Sequence, residues 1–137
     1  SDLVLLDVRV SLTESGPAGA VDAYRGGHIP GAVFADLPNV LCDAGQPIAF
    51  ALPSPEAFCT AMGRLGVGDD TRVVLYDDRR LVPGGAISSL WAARAWWMLR
   101  WVGFENVRIL DGALADVLAA VNGKNAARMA STATGDA

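Results

Sequence analysis

The sequence of 137 residues predicts an α/β fold in which a mostly parallel sheet carries helices on both faces. Two observations predict it. Short, continuous apolar runs indicate strands buried on both sides, and helical patterns separate these runs. A third observation indicates where a site would lie: Asp7, Asp36, Asp77 and Asp111 each end such a run. Because ligands bind at the carboxyl ends of parallel strands, these aspartates are the first candidates for function.

The composition excludes several classes of protein. Hydrophobic residues make up 52% of the chain, charged residues 19%, and the net charge is −4, which is typical of one globular domain. No basic patch favours a nucleic-acid partner, and no apolar run reaches the ~18 residues of a membrane span. The opening SDLVLLDVRV lacks the basic start and cleavage site of a signal peptide. We therefore expect a cytoplasmic protein with neither nucleic acid nor membrane as partner.

The first half of the chain predicts two strands joined by a turn-rich segment. LVLLDV at 3–8 is the first strand, and AVFAD at 32–36 is the second. Between them, residues 11–31 are rich in Gly and Pro, which indicates turns. A long loop with three breakers is expected at 41–53.

The second half alternates helices and strands. SPEAFCTAMGRLG at 54–66 begins a helix with Ser54 as cap and Pro55 at the first helical position. The remaining elements are a strand at 72–77, a helix at 88–102, a strand at 107–110 and a helix at 113–121. Residues 122–137 have no periodicity, so we expect one domain over 1–121 followed by an irregular tail or linker.

Four segments resemble a known family. LLDVR (5–9), YRGGHIPGAVFADL (24–37), LPSPEAFCTAMGRLGVGDDTRVVLYD (52–77) and AARAWWMLRWVGFENVRILDG (92–112) are similar to rhodanese domains. The similarity is greater to the N-terminal, non-catalytic half of two-domain thiosulfate or 3-mercaptopyruvate sulfurtransferases. It covers roughly residues 3–114. The family fold that this resemblance implies is a mainly parallel, five-stranded sheet wrapped by helices.

The resemblance also implies a chemistry, sulfur transfer through a cysteine thiolate that becomes a persulfide. That cysteine begins the loop after the strand matching VVLY, and this chain has Asp77 at the matching position. An aspartate cannot form a persulfide, so the nucleophile position is vacant. The implied role is support of a catalytic, Cys-bearing domain in the same or a longer chain. A stand-alone binding module of the same fold, and a receiver-like domain that uses its strand-end aspartates, are the alternatives.

The candidate residues for a substrate cleft or interface are His28, Asp77, Asp78, Arg79 and Arg80. The aspartates could be an acid–base or metal-binding pair, but a strand-end cap is the expected role because no histidine or third ligand is near in sequence. The arginines could attract a small anionic sulfur donor, although solvated loop arginines are more common. His28 could face the cleft, hydrogen-bond to backbone in its turn, or do both. We expect neither a cofactor nor a metal.

The other residues singled out are expected to be structural. Asp7 and Arg9 could bind an anion, but an ion pair that ties the first strand to the HIPGA turn is favoured. Cys42 and Cys59 are expected to act as small hydrophobes rather than as catalysts. Four tryptophans cluster at 91, 96, 97 and 101 with spacings that do not share one helix face. Some should be buried, and one or two could be exposed at an interface.

Overall fold

A computed structural model describes residues 2–12, 18–78 and 90–110. The predicted helix at 113–121, the tail, Arg79, Arg80 and Asp111 lie outside the described residues. The elements in chain order are strand β1 (Leu3–Asp7), helix α1 (Ala18–Gly26), strand β2 (Val33–Phe34), one π-helical turn (Leu37–Leu41), helix α2 (Pro55–Arg64), strand β3 (Arg72–Tyr76), helix α3 (Leu90–Trp101) and strand β4 (Val107–Ile109). Within these ranges no helix is long and apolar enough to cross a membrane.

The strands form one parallel sheet in the order β2-β1-β3-β4. β1 and β3 are central and pair along their whole length, with Leu3 opposite Arg72 and Asp7 opposite Tyr76. The described residues thus form four strands, not the five that the resemblance implied.

Alternation along the strands divides the core between the two faces of the sheet. Helices α2 and α3 and the π-helical turn cover one face, where they pack on Leu6, Val73 and Leu75. The other face is smaller. It holds Tyr76 against Ala32 and three partly buried residues, Leu5, Ile29 and Leu110. Helix α1 contacts the β2 segment through Tyr24, whose hydroxyl donates to the Ala32 carbonyl and whose ring packs against Phe34.

Helix α2 begins as the sequence predicts. The Ser54 hydroxyl accepts a hydrogen bond from the Ala57 amide at 3.1 Å, and Pro55 is the first helical residue. Phe58, Ala61 and Met62 form the buried stripe. The last helical residue is Arg64, Leu65 is the C-cap, and Gly66, the final residue of the predicted segment, follows it with a φ of +93°.

Two helical segments were missed. Residues 18–26 form α1 where turns were expected, because the breakers that surround AVDAYR do not interrupt it. The π-helical turn lies where the second strand was expected to pass into a loop. There the Asp36 carboxylate accepts a hydrogen bond from the Asn39 amide at 3.2 Å and caps the turn. Strand β2 is consequently two residues long rather than the predicted five.

Candidate functional site at the carboxyl edge of the sheet

The carboxyl edge of the sheet brings together three aspartates and one arginine. Asp7 ends β1, and Asp77 and Asp78 directly follow β3, the neighbouring parallel strand. All three side chains are at least 98% buried, and so is that of Arg9. Buried charges require partners, so the contacts of these four residues determine what the edge can do.

Asp77 is bound to the start of helix α3. Its Oδ2 atom accepts hydrogen bonds from the backbone amides of Trp91 at 2.9 Å and Ala92 at 3.0 Å. These amides have no partner within the helix, and the helix dipole favours a negative charge at this point. Asp77 therefore caps a helix that begins 13 residues later in the sequence, and its carboxylate occupies an anion cradle of backbone N–H groups.

Asp7 and Arg9 form a buried, multiply hydrogen-bonded ion pair. The Arg9 Nε atom donates to both carboxylate oxygens of Asp7, at 2.9 and 3.0 Å, and the Arg9 amide donates to Oδ1 at 3.1 Å. Nη2 of Arg9 also donates to the Gly27 carbonyl at 3.0 Å. The pair thereby connects the end of β1 to the turn that carries His28.

Arg9 serves a second carboxylate as well. Its Nη1 atom lies 3.6 Å from Oδ2 of Asp78, so two buried aspartates share one guanidinium. Burial disfavours the charge on Arg9, but the hydrogen bond to Asp7 and the charges of Asp7 and Asp78 outweigh it and raise the pKa of Arg9. The guanidinium therefore stays charged at the centre of this cluster.

Tyr76 completes the network and was not singled out from the sequence. Its phenol oxygen accepts a hydrogen bond from the Ile29 amide at 3.2 Å. Burial, followed by its hydrogen bond to Asp7, raises the pKa of Tyr76 above the usual value, so the phenol remains protonated. The signal was present, because a single phenol in an otherwise aliphatic buried strand needs a partner.

His28 is exposed but held in a defined orientation. Its ring stacks on Tyr24 with centroids 3.9 Å apart and 12° between the planes. Nδ1 lies 2.7 Å from the Tyr24 carbonyl, to which it donates. The hydrogen bonds of Gly27 to Arg9 and of Ile29 to Tyr76 attach this turn to the aspartate edge. His28 itself bonds to Tyr24 rather than to any aspartate.

The two cysteines lie apart from this edge network. Cys42 is buried, and its Sγ atom lies 4.0 Å from Nη2 of Arg94. Burial raises the pKa of the Cys42 thiol despite Arg94, and Asp36 raises it further, so little thiolate is present at neutral pH. Cys59 is exposed on α2 and is not bonded to Cys42. Within the described ranges, no group of three His, Cys, Asp or Glu side chains is arranged to hold a metal ion.

The tryptophans divide into two pairs. Trp91 and Trp101 are partly buried, and Trp91 stacks on Phe50 with ring centroids 4.8 Å apart. Trp96 and Trp97 are 37% and 49% exposed. Trp97 stacks on Trp101, and the guanidinium of Arg100 lies over the Trp96 ring. The tryptophan cluster is thus part core and part surface.

Comparison with known proteins assigns the chain to a family. The family model of the rhodanese-like domain matches residues 1–120, so the chain belongs to the rhodanese family. Its fold, a parallel sheet with helices, is that of the family.

Particular relatives narrow the similarity to sulfurtransferases. The chain is 40% identical over 114 residues to the 3-mercaptopyruvate sulfurtransferase of Escherichia coli K12, a match that covers 83% of this chain and 37% of that protein. It is 40% identical over 89 residues to the thiosulfate sulfurtransferase of Gallus gallus, covering 65% and 28% of the two chains. The structure is also similar to the crystal structure of SseA from Escherichia coli, a 3-mercaptopyruvate sulfotransferase with the rhodanese fold. The superposition has a TM-score of 0.64 and a sequence identity of 39%, and it covers 82% of this chain and 40% of SseA. The chain thus spans less than half the length of these relatives.

Proposed function

We propose that this chain is a non-catalytic rhodanese domain that supports a Cys-bearing catalytic domain and forms one wall of its substrate cleft. The observation that carries the proposal is the place of Asp77. By resemblance to the family, the sulfur-carrying cysteine belongs at this position, at the end of β3 and in front of the amides of α3. Here a carboxylate fills the cradle that would otherwise stabilise a thiolate or persulfide anion.

The other residues of the edge have supporting roles in this proposal. In this proposal His28, Asp77 and Asp78 contribute to the wall of the cleft, and Arg79 and Arg80, which lie outside the described residues, remain candidates from the sequence alone. The arginines would draw a small anionic sulfur donor such as thiosulfate or mercaptopyruvate toward the cleft. Asp7 and Arg9 hold the wall together. We further propose that the protein is cytoplasmic. Cys42 and Cys59 do not form a disulfide, and thiols remain reduced in the cytoplasm.

The test is sulfur transfer by the 137-residue chain and its Asp77→Cys variant, with thiosulfate or mercaptopyruvate as donor and cyanide as acceptor. A thiolate at position 77 would attack the sulfane sulfur of thiosulfate, forming a persulfide and releasing sulfite. Cyanide would then take the sulfur as thiocyanate and regenerate the thiolate. We expect no thiocyanate from the native chain and a measurable rate from Asp77→Cys.

The matched control is Asp77→Ser, which has nearly the same size as the cysteine variant but no thiol, and should be inactive. A Cys42→Ala/Cys59→Ala double variant removes the two natural thiols and so shows whether either of them contributes to sulfur transfer. Thiocyanate formation by the native chain that this double variant loses would contradict the proposal and assign catalysis to one of the two natural cysteines.

A second candidate function is a stand-alone binding module of rhodanese fold, without sulfur chemistry. The exposed pair of Trp96 and Trp97 favours it, since tryptophan is enriched at binding surfaces. In that case the isolated Asp77→Cys variant would gain no sulfur-transfer activity, and the native chain would behave as a complete monomeric unit.

A further inference from the structure

A crevice opens at the amino edge of the sheet, at the other end of the strands from the aspartate edge. It has a volume of about 220 Å³ and lies between helices α2 and α3, beside the loops that lead into β3 and β4. Its floor belongs to the core and is formed by Phe58, Met62 and Leu99, each at most 3% exposed. A cavity of roughly 150 Å³ accommodates benzene, so this crevice can accept an aromatic ring with a short substituent.

Two helix ends of the same construction shape the wall of the crevice. Each helix is followed by a glycine with a left-handed backbone, and the two glycines are Gly66 and Gly103, with φ of +93° and +88°. After each glycine the chain folds back onto its helix. The Val67 amide donates to the Met62 carbonyl at 3.1 Å, and the Phe104 amide donates to the Leu99 carbonyl at 2.9 Å. These bonds hold the wall in place before a ligand arrives, which lowers the entropy lost on binding.

The mouth of the crevice is electrically negative. The carboxyl ends of both helices lie at it, and each helix end carries about half a negative charge. Asp69 adds a full carboxylate and is the one charged residue among the described residues that line the crevice. Asp70 and Glu105, which follow wall residues directly in the chain, carry the same sign. The rings of Phe58 and Phe104 also attract cations through their faces, so the crevice favours a ligand that is both apolar and positively charged.

We propose that this crevice is a binding site for a small aromatic ammonium compound, with the ring on the apolar floor and the ammonium group at the mouth beside Asp69. Charge complementarity selects this class of ligand. An anion of the same size would be repelled by Asp69 and by both helix ends, and a neutral ring would gain nothing from them. Because the crevice lies at the other end of the strands from the proposed cleft, the site does not depend on the proposed function.

The experiment titrates the isotope-labelled 137-residue chain with three probes of nearly equal size and follows its backbone amides by NMR. At neutral pH benzylamine is a cation, benzyl alcohol is neutral and benzoate is an anion. We expect benzylamine to cause saturable shifts at the amides of the wall residues Gly68 and Gly103. Benzyl alcohol should bind at least about threefold more weakly, because it lacks the charge, and benzoate should not bind. High salt should reduce the difference between benzylamine and benzyl alcohol, because exposed charges are screened.

Two pairs of variants locate the ligand. Asp69→Asn preserves the shape of the side chain but removes its charge, so it should weaken benzylamine binding about two- to fivefold and leave benzyl alcohol unchanged. Its matched control is Asp70→Asn, because Asp70 is an exposed carboxylate that is not among the lining residues. Cys59→Phe adds a ring to the crevice from an exposed position and should abolish binding of both probes. Its control is Thr60→Phe, because Thr60 is exposed on the same helix but lines a separate depression.

Parallel measurements keep the result interpretable. All four substituted residues are exposed, so the unfolding temperatures of the variants should stay close to that of the native chain. Equal affinities for benzylamine and benzyl alcohol would overturn the proposal, and so would an Asp69→Asn variant that binds benzylamine as tightly as Asp70→Asn does. Shifts that persist in Cys59→Phe would place the ligand elsewhere and overturn it as well. If the wall amides shift when the free chain is diluted, the occupant is a second copy and the proposal is wrong. None of these outcomes alters the Asp77→Cys assay, which tests the proposed function separately.

Discussion

At the scale of single residues, the edge of the sheet depends on Arg9. One guanidinium satisfies the buried carboxylates of Asp7 and Asp78 and also binds the Gly27 carbonyl. An arginine suits this position because its planar fork donates to several acceptors at fixed angles. The sequence predicts the Asp7–Arg9 pair from two residues in LLDVR, but Asp78 is 69 positions away from Arg9, and their contact follows only from the pairing of β1 with β3.

Removal of the Arg9 charge should therefore be costly. Arg9→Met retains much of the apolar stem but removes the guanidinium that binds the buried carboxylate of Asp7 and lies beside that of Asp78, so we expect a loss of about 3–5 kcal/mol in the free energy of unfolding. Arg9→Lys should recover only part of it, because an ammonium cannot reproduce the bidentate contact. Urea denaturation at neutral pH measures both variants.

The control for this prediction is Arg25→Ala. Arg25 pairs with Asp22 at 3.8 Å, but both side chains are more than 70% exposed. An exposed pair of this kind contributes little, so the change should stay within about 0.5 kcal/mol. An Arg9→Met variant that is as stable as Arg25→Ala would show that Asp7 and Asp78 are satisfied without the guanidinium.

At the scale of elements, caps and glycines determine where the helices begin and end. Ser54 caps α2 from the position directly before the helix, so the sequence alone predicts where this helix begins. The cap of α3 was harder to predict, because Asp77 precedes the first residue of that helix by 13 positions, and local sequence does not indicate a cap at that separation. The end of α2 depends on Gly66 with φ of +93°, while Gly63 lies inside the helix.

Two glycines one turn apart should respond in opposite ways to the same added methyl group. Gly66→Ala forces a left-handed conformation on alanine and should destabilise the chain by about 1 kcal/mol or more. Gly63→Ala has open space around its new Cβ and should stabilise the helix by about 0.5–1 kcal/mol. Thermal unfolding of the two variants side by side checks the pair, and equal shifts would contradict the backbone argument.

At the scale of the whole molecule, the described residues bury one large core on one face of the sheet and leave two tryptophans at the surface. Trp96 and Trp97 lie on the outer side of α3, while Trp91 and Trp101 pack against the core. The spacing of the four residues predicts that they cannot share a face. Which pair faces solvent depends on how α3 is rotated against β3 and β4, and this is a property of the packing.

Fluorescence quenching tests this division. In the native chain, acrylamide should quench a strongly accessible fraction of the emission that comes from Trp96 and Trp97. A Trp96→Phe/Trp97→Phe variant should lose that fraction, whereas Trp91→Phe should leave it nearly unchanged. If the double substitution leaves the accessible fraction intact, another tryptophan is the exposed one, and α3 presents a different face to β3 and β4.

The sequence by itself determined the alternation of strands and helices, the start of α2, and the aspartates at the strand ends. These features are local: apolar runs, caps and turn residues act on their neighbours within a few positions. The resemblance to rhodaneses likewise rested on short contiguous motifs, and the family match bears it out.

Only the tertiary structure decided which side chains that are distant in sequence come into contact. It brought Asp78 to Arg9, Tyr76 to Ile29, Asp77 to the amides of α3, and Phe50 to Trp91. Each of these contacts joins residues between 14 and 69 positions apart, and local sequence patterns do not specify which side chains meet at that separation. The parallel pairing of β1 and β3 aligns their carboxyl ends, and burial then leaves each charged group only the partners that the fold has placed within reach.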